Sequence, residues 1–171
     1  MKFSMRITLT VLLLMLAIPA YAGGGKDGCN PLGSWYGYDS EGNAWWTSTI
    51  DGQSASHGTS NLEIPGAVAM FSGAAGVTEL KGQWKRTGAN AFAWTVVAYP
   101  FDENAVTMSI VKLSGTNYMG DDCDTMWITN IVMEDFYPWD NIYTDTPIAV
   151  DDTFPDHPGF RVKVDLPEVL P

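Results

Sequence analysis

The sequence predicts an all-β protein: a single antiparallel up-and-down β-barrel of about eight strands, with no substantial helix once an N-terminal signal is removed. Three observations predict it. Short β-prone runs alternate with Gly, Asp, Asn and Ser turn clusters at roughly 8–12-residue spacing, the rhythm of sandwiches and barrels. Outside the first 22 residues no segment carries convincing helical periodicity over about ten residues. Successive runs are joined hairpin-fashion, so neighbours in sequence are expected to pair in the sheet.

The N-terminus reads as a secretory signal peptide over residues 1–22. Lys2 and Arg6 supply the positive region, Thr8 to Ile18 is almost wholly apolar, and Ala20-Tyr21-Ala22 offers small residues for cleavage after Ala22. The apolar run is shorter than the roughly 20 residues a membrane helix needs, so no stable span is expected after cleavage. The mature chain is expected to be secreted or periplasmic. It carries seven basic against twenty acidic residues, a net charge of −13. Nucleic acid and anionic membranes need clustered Lys and Arg, so this chain suits neither. Solubility outside the cytoplasm is the simpler reading of the acidity.

Residues 23–32 form a Gly-rich, flexible leader, and the barrel domain is expected over 33–136. Its runs are Gly33–Tyr38, Ala44–Asp51, a weaker Asn61–Phe71 broken by Pro65 and Gly66, Val77–Arg86, Ala91–Tyr99, Ala105–Ser114 and a long Cys123–Phe136. Alternation places Leu80, Gly82, Trp84 and Arg86 on one face, Phe92, Trp94, Val96 and Ala98 on one face, and Val106, Met108 and Ile110 on one face. Residues 137–171 form a Pro- and Asp-rich extension. Within it, 160–166 alternates cleanly and is expected as a final edge strand, with a loosely held extension as the alternative.

Cys29 and Cys123 are the only cysteines, and both follow the signal. An oxidising compartment favours one disulfide between them. Such a bond would place the residues before the first strand beside the start of the last long strand and staple the barrel seam. Nearby Asp27, Asp121, Asp122 and Asp124 would raise a thiol pKa, so neither cysteine reads as an activated nucleophile.

Catalytic and metal signals are weak. There is no Gly-x-Ser-x-Gly and no Cys–His pairing. His57 and His157 both read as exposed loop residues. The carboxylates around Cys123 and in the 39–43 turn do not follow a calcium-loop pattern, so no metal and no cofactor is expected. Tryptophan is the informative excess: seven residues, of which Trp45 and Trp46 are adjacent and must face opposite sides of one strand.

Gly33-Ser-Trp-Tyr-Gly37 resembles the Gly-x-Trp opening of the first lipocalin strand. The stretch from Gly82 to Thr95, with Ser109–Gly115 and Asp121–Thr125, is similar to secreted bacterial lipocalin-like (calycin-type) proteins of unassigned activity. The resemblance spans about residues 33–133. It implies a cup for a small apolar or amphipathic molecule, and a structural Trp35 closing the barrel floor under a basic side chain. Arg86 is the expected cover and Arg161 the second choice. The inward, ligand-facing set is expected to be Trp46, Leu80, Trp84, Phe92, Trp94, Val96, Met108 and Ile110. The same residues would fill a solid barrel, which would leave a cell-envelope interaction module with no small ligand. A cofactor-free barrel isomerase or cyclase is the third class, but no residue stands out for it.

Overall fold

Eight strands pair in chain order and close on themselves. The structure, a computed structural model, describes residues 28–38, 42, 44–54 and 56–163. The expected signal peptide over residues 1–22, residues 23–27 and residues 164–171 lie outside the described residues. The strands are β1 (Gly33–Tyr38), β2 (Ala44–Ser54), β3 (His57–Glu63), β4 (Gly76–Val77), β5 (Leu80–Arg86), β6 (Ala91–Ala98), β7 (Pro100–Phe101), β8 (Ile110–Met119), β9 (Thr125–Phe136), β10 (Ala149–Asp151) and β11 (His157–Arg161). The barrel order is β1-β2-β3-β5-β6-β8-β9-β11 and back to β1, all antiparallel. β10 extends the sheet beside the upper part of β9, and β4 pairs with β7 in a small separate ladder. Among the described residues the helical content is one 3-10 turn, Ala67–Met70. None of their helices is long and apolar enough to cross a membrane.

Period-two alternation drives the fold. In β5 and β6 the faces run as the sequence indicates: Trp84 pairs with Trp94, Arg86 with Phe92 and Gly82 with Val96. Phe92 and Val96 are almost completely buried. In β9 a bulge breaks the alternation. Thr116 pairs with Thr129 but Ser114 with Val132, and Asn130 takes a positive φ of 51°. The extra residue resets the phase, so Ile128 and Ile131 both point inward and are buried. This explains a run that is apolar on both faces.

Two expected elements shift. The strand expected over Ala105–Ser114 starts at Ile110 and runs on to Met119. Asp102 instead holds 102–106 as a loop, accepting hydrogen bonds from the backbone of Asn104 and Val106, both at 2.9 Å. The final strand occupies His157–Arg161, with 164–166 outside the described residues. It is not an edge: it lies between β1 and β9, pairing with both, and closes the barrel. Its inward face is His157, Gly159 and Arg161, while Phe160 is exposed and packs outside on Tyr36, ring centroids 5.7 Å apart. Phe160, the first apolar residue of that alternating run, therefore covers the outside.

The floor is built by the residues before β1. Cys29 is bonded to Cys123, with Cα atoms 5.2 Å apart. The bond does not join directly paired strands: it ties the segment before β1 to the turn before β9, on either side of β11. Cys29 N–H donates to Asn90 Oδ1 at 2.8 Å, and Trp35 Nε1 donates to the Pro31 carbonyl at 3.0 Å. Trp35 is 1% exposed. Its cover is Arg161, whose guanidinium carbon lies 4.3 Å from the ring centroid. Arg86 lies instead over Phe92, at 4.8 Å, and donates to the Cys29 carbonyl at 2.9 Å. The expected order of the two arginines is reversed, because β11 faces inward at odd positions. Residues 28–32 are thus a strap held across the barrel floor.

Candidate functional site

The barrel is hollow. A cavity of about 620 Å³ runs from the Pro31 strap to a mouth formed by residues 64–71 and by Phe154 and Pro155. Its volume falls within the range of about 300–1,000 Å³ typical of small-molecule sites. The middle of the wall is apolar: Leu80, Trp84, Phe92, Trp94, Val111 and Leu113. Trp84 and Phe92 meet edge to face, centroids 5.8 Å apart. At the mouth, Pro65-Gly66 breaks the chain out of β3. Gly66 takes a positive φ of 82°, which turns the chain into the 3-10 segment bearing Ala67 and Met70. This segment lies across the rim, with Ala67 buried and Met70 exposed.

A polar strip interrupts the apolar wall on the β2–β3 side. Thr47 Oγ1 donates to the Asn61 carbonyl at 2.6 Å, and Ser60 Oγ lies 3.4 Å from it. Across the cavity, Trp94 Nε1 donates to Asn117 Oδ1 at 2.8 Å. Among the described residues lining the cavity none is an Asp, Glu, Lys or Arg, and His157 is the one titratable side chain. Among the described residues no group of three or more His, Cys, Asp or Glu is arranged to hold a metal.

Of the residues the sequence singled out, Leu80, Trp84, Phe92 and Trp94 come together in this wall. Val96 is fully buried and Ile110 is 8% exposed, yet neither lines the cavity. Trp46 and Met108 are each 40% exposed and stand outside it. For the tryptophan pair the register decides. Trp45 lies opposite Gly37, which leaves room for an indole inside, whereas Trp46 lies opposite Tyr36 on the outer face. Met108 precedes the first residue of β8. The inward positions of that strand are Val111, Leu113 and Asn117, one residue out of phase with the expected face.

Trp45 and the 64–71 segment escaped the sequence reading of the site, and His157, expected in an exposed loop, is buried in β11. For Trp45 the signal was Gly37 and Gly159. These two glycines pair across β1 and β11, and a Cβ on either would lie within 2.7 Å of the Trp45 ring. The indole occupies the trough they leave, reaching from β2 across β1 to β11. No protein family, no curated protein and no solved structure matches this chain.

Proposed function

We propose that the protein is a binding protein of lipocalin-like kind, whose barrel holds one small hydrophobic or amphipathic molecule outside the cytoplasm. The observation that carries this reading is the cavity of about 620 Å³, walled mainly by aromatic and aliphatic side chains, with no Asp, Glu, Lys or Arg among the described residues that line it. Burial of an apolar ligand there would contribute about 25 cal/mol per Å² of apolar surface removed from water. The disulfide and the secretory N-terminus support an extracytoplasmic setting. The test is a titration of the purified mature chain with N-phenyl-1-naphthylamine, read by probe emission and tryptophan quenching. Saturable one-to-one binding is expected, and its loss in a Leu113→Trp variant that fills the cavity. A wild-type protein that never saturates would sink the reading.

One observation favours a second reading, an interaction module of the cell envelope. Trp46, Tyr36 and Phe160 align in register across the outer faces of β2, β1 and β11, and Trp127 pairs with Tyr118 on the outer faces of β9 and β8. All five are at least 37% exposed. Contiguous aromatic surface of this kind marks contact faces. Co-sedimentation with isolated envelopes that survives Leu113→Trp but is lost in Trp46→Ser/Trp127→Ser would favour it over the cavity reading.

A further inference from the structure

Two polar atoms in the cavity wall lack partners. Trp45 Nε1 and His157 Nδ1 are buried and make no hydrogen bond, and their residues are 7% and 8% exposed. Both residues line the cavity. The wall's other polar groups differ in this respect: Thr47 Oγ1 donates to Asn61, and Trp94 Nε1 donates to Asn117. Buried polar groups are ordinarily hydrogen-bonded, and an orphaned one is destabilising unless something completes it. Here the completing group would have to come from the cavity that both side chains line, with a small shift of either ring, because neither atom itself presents open surface.

The two atoms belong to one corner. The Trp45 ring lies over Gly37 and against the carbonyl of Pro158, the residue after His157: a Cβ built on Gly37 would lie 2.2 Å from Trp45 Cζ2 and 2.3 Å from Pro158 O. An indole nitrogen is only ever a donor, and neutral imidazole presents Nδ1–H in one of its two tautomers. A carbonyl oxygen has two lone pairs and can accept from both. An ion fits badly, since no described residue of the lining is a Lys or Arg and burying an unpaired carboxylate is strongly unfavourable.

We propose that this corner is a recognition subsite for one uncharged oxygen acceptor, a ketone, aldehyde or ester carbonyl, carried by an otherwise apolar ligand. The proposal rests on the cavity-binding reading and deepens it. Trp45 Nε1–H and His157 Nδ1–H orient the carbonyl between β2 and β11, and the Leu80–Trp84–Leu113 wall takes the apolar body.

The experiment is displacement of bound N-phenyl-1-naphthylamine from the mature, disulfide-intact protein by decane, 2-decanone and decanoate. The ketone is expected to displace the probe at about tenfold lower concentration than the alkane, the effect of roughly one net hydrogen bond. Trp45→Phe keeps the ring and removes the donor, and His157→Phe does the same on β11. Each is expected to shrink the ketone–alkane gap, measured within the same variant, to about twofold or less. His157→Gln, which retains an amide donor, is expected to keep most of the gap. If one variant fails to fold, the other decides. Equal displacement by ketone and alkane in the wild type overturns the subsite but leaves the cavity reading standing. Tighter displacement by decanoate overturns the uncharged acceptor. Absence of probe binding overturns both.

Discussion

Arg161 sits over the Trp35 indole, its guanidinium carbon 4.3 Å from the ring centroid, and donates to three backbone carbonyls at the barrel floor. The acceptors are Leu32 at 2.6 Å, Asn30 at 2.7 Å and Cys123 at 3.0 and 3.1 Å. Asp124 Oδ1 is 3.3 Å from its Nε. One side chain therefore joins the strap before β1, the turn before β9 and the floor tryptophan. Only a planar fork can make these contacts together. Arg161→Lys and Arg161→Ala are both expected to destabilise, the alanine variant by about 3 kcal/mol, from the lost cation–π contact and charged hydrogen bonds. Urea unfolding followed by tryptophan emission checks this. A lysine variant as stable as the wild type would show that the fork geometry contributes nothing.

The trough under Trp45 makes a second prediction. Gly37→Ala would bring a methyl group to 2.3 Å from the backbone oxygen of Pro158 and 2.2 Å from the indole. The carbonyl cannot retreat without moving β11, so the ring must tilt into the cavity. Overpacking of this kind typically costs about 1–3 kcal/mol. The expected result is a lower urea midpoint with weaker probe binding. Gly88→Ala is the control: its Cβ would meet only Ala91 Cβ, at an ordinary 3.4 Å. It is expected to leave binding untouched.

The disulfide predicts a thiol count. Cys29 and Cys123 are bonded over 94 residues of chain. Denatured protein without reductant should therefore show no free thiol. In the chain-entropy account, closing a loop of that length contributes about 4.7 kcal/mol. The Cys29→Ser/Cys123→Ser variant is expected to lose about that much stability in urea while keeping its far-ultraviolet spectrum. Two titratable thiols in the mature wild-type protein would remove the bridge from the account of the seam.

Asp135 and Asp122 predict opposite pH effects. Burial pushes the Asp135 carboxyl above its ordinary range, with Ser109 Oγ partly offsetting this by a hydrogen bond at 3.4 Å. A raised carboxylate opposes folding when ionised, and the penalty is relieved as pH falls through its folded pKa. Asp135→Asn should thus raise the melting temperature at pH 7, with the gain vanishing below the ordinary value of 3.8.

Asp122 is held low by hydrogen bonds from the backbone of Asp124 and Thr125 and from the Thr125 hydroxyl. Its contribution is present above the ordinary carboxylate pKa and is lost as pH falls through the depressed one. Asp122→Ala should lower the melting temperature at pH 7 and narrow the difference toward pH 2. Melting curves of both variants across pH 2–8 check the pair of signs.

Alternation in the sequence sufficed for the all-β class, the meander of neighbouring strands and the buried faces of β5 and β6. Two cysteines in an oxidising setting sufficed for the bridge. These features are local or combinatorially simple: a period of two, a short turn, one possible pair. Phase and closure were decided by tertiary structure. Whether Trp45 or Trp46 faces inward depends on which lies opposite Gly37, a pairing set between strands and not within one. Val111 displaces Met108 from the wall because Asp102 captures the loop backbone ahead of β8. Arg161 replaces Arg86 over Trp35 because β11 inserts between β9 and β1, turning Phe160 out and His157 in. The inward seat of Trp45 follows from the same cause. Glycines at positions 37 and 159 leave no side chain on one side of the interior, and only when β1 and β11 pair do those absences line up into the trough that the Trp45 indole from β2 occupies.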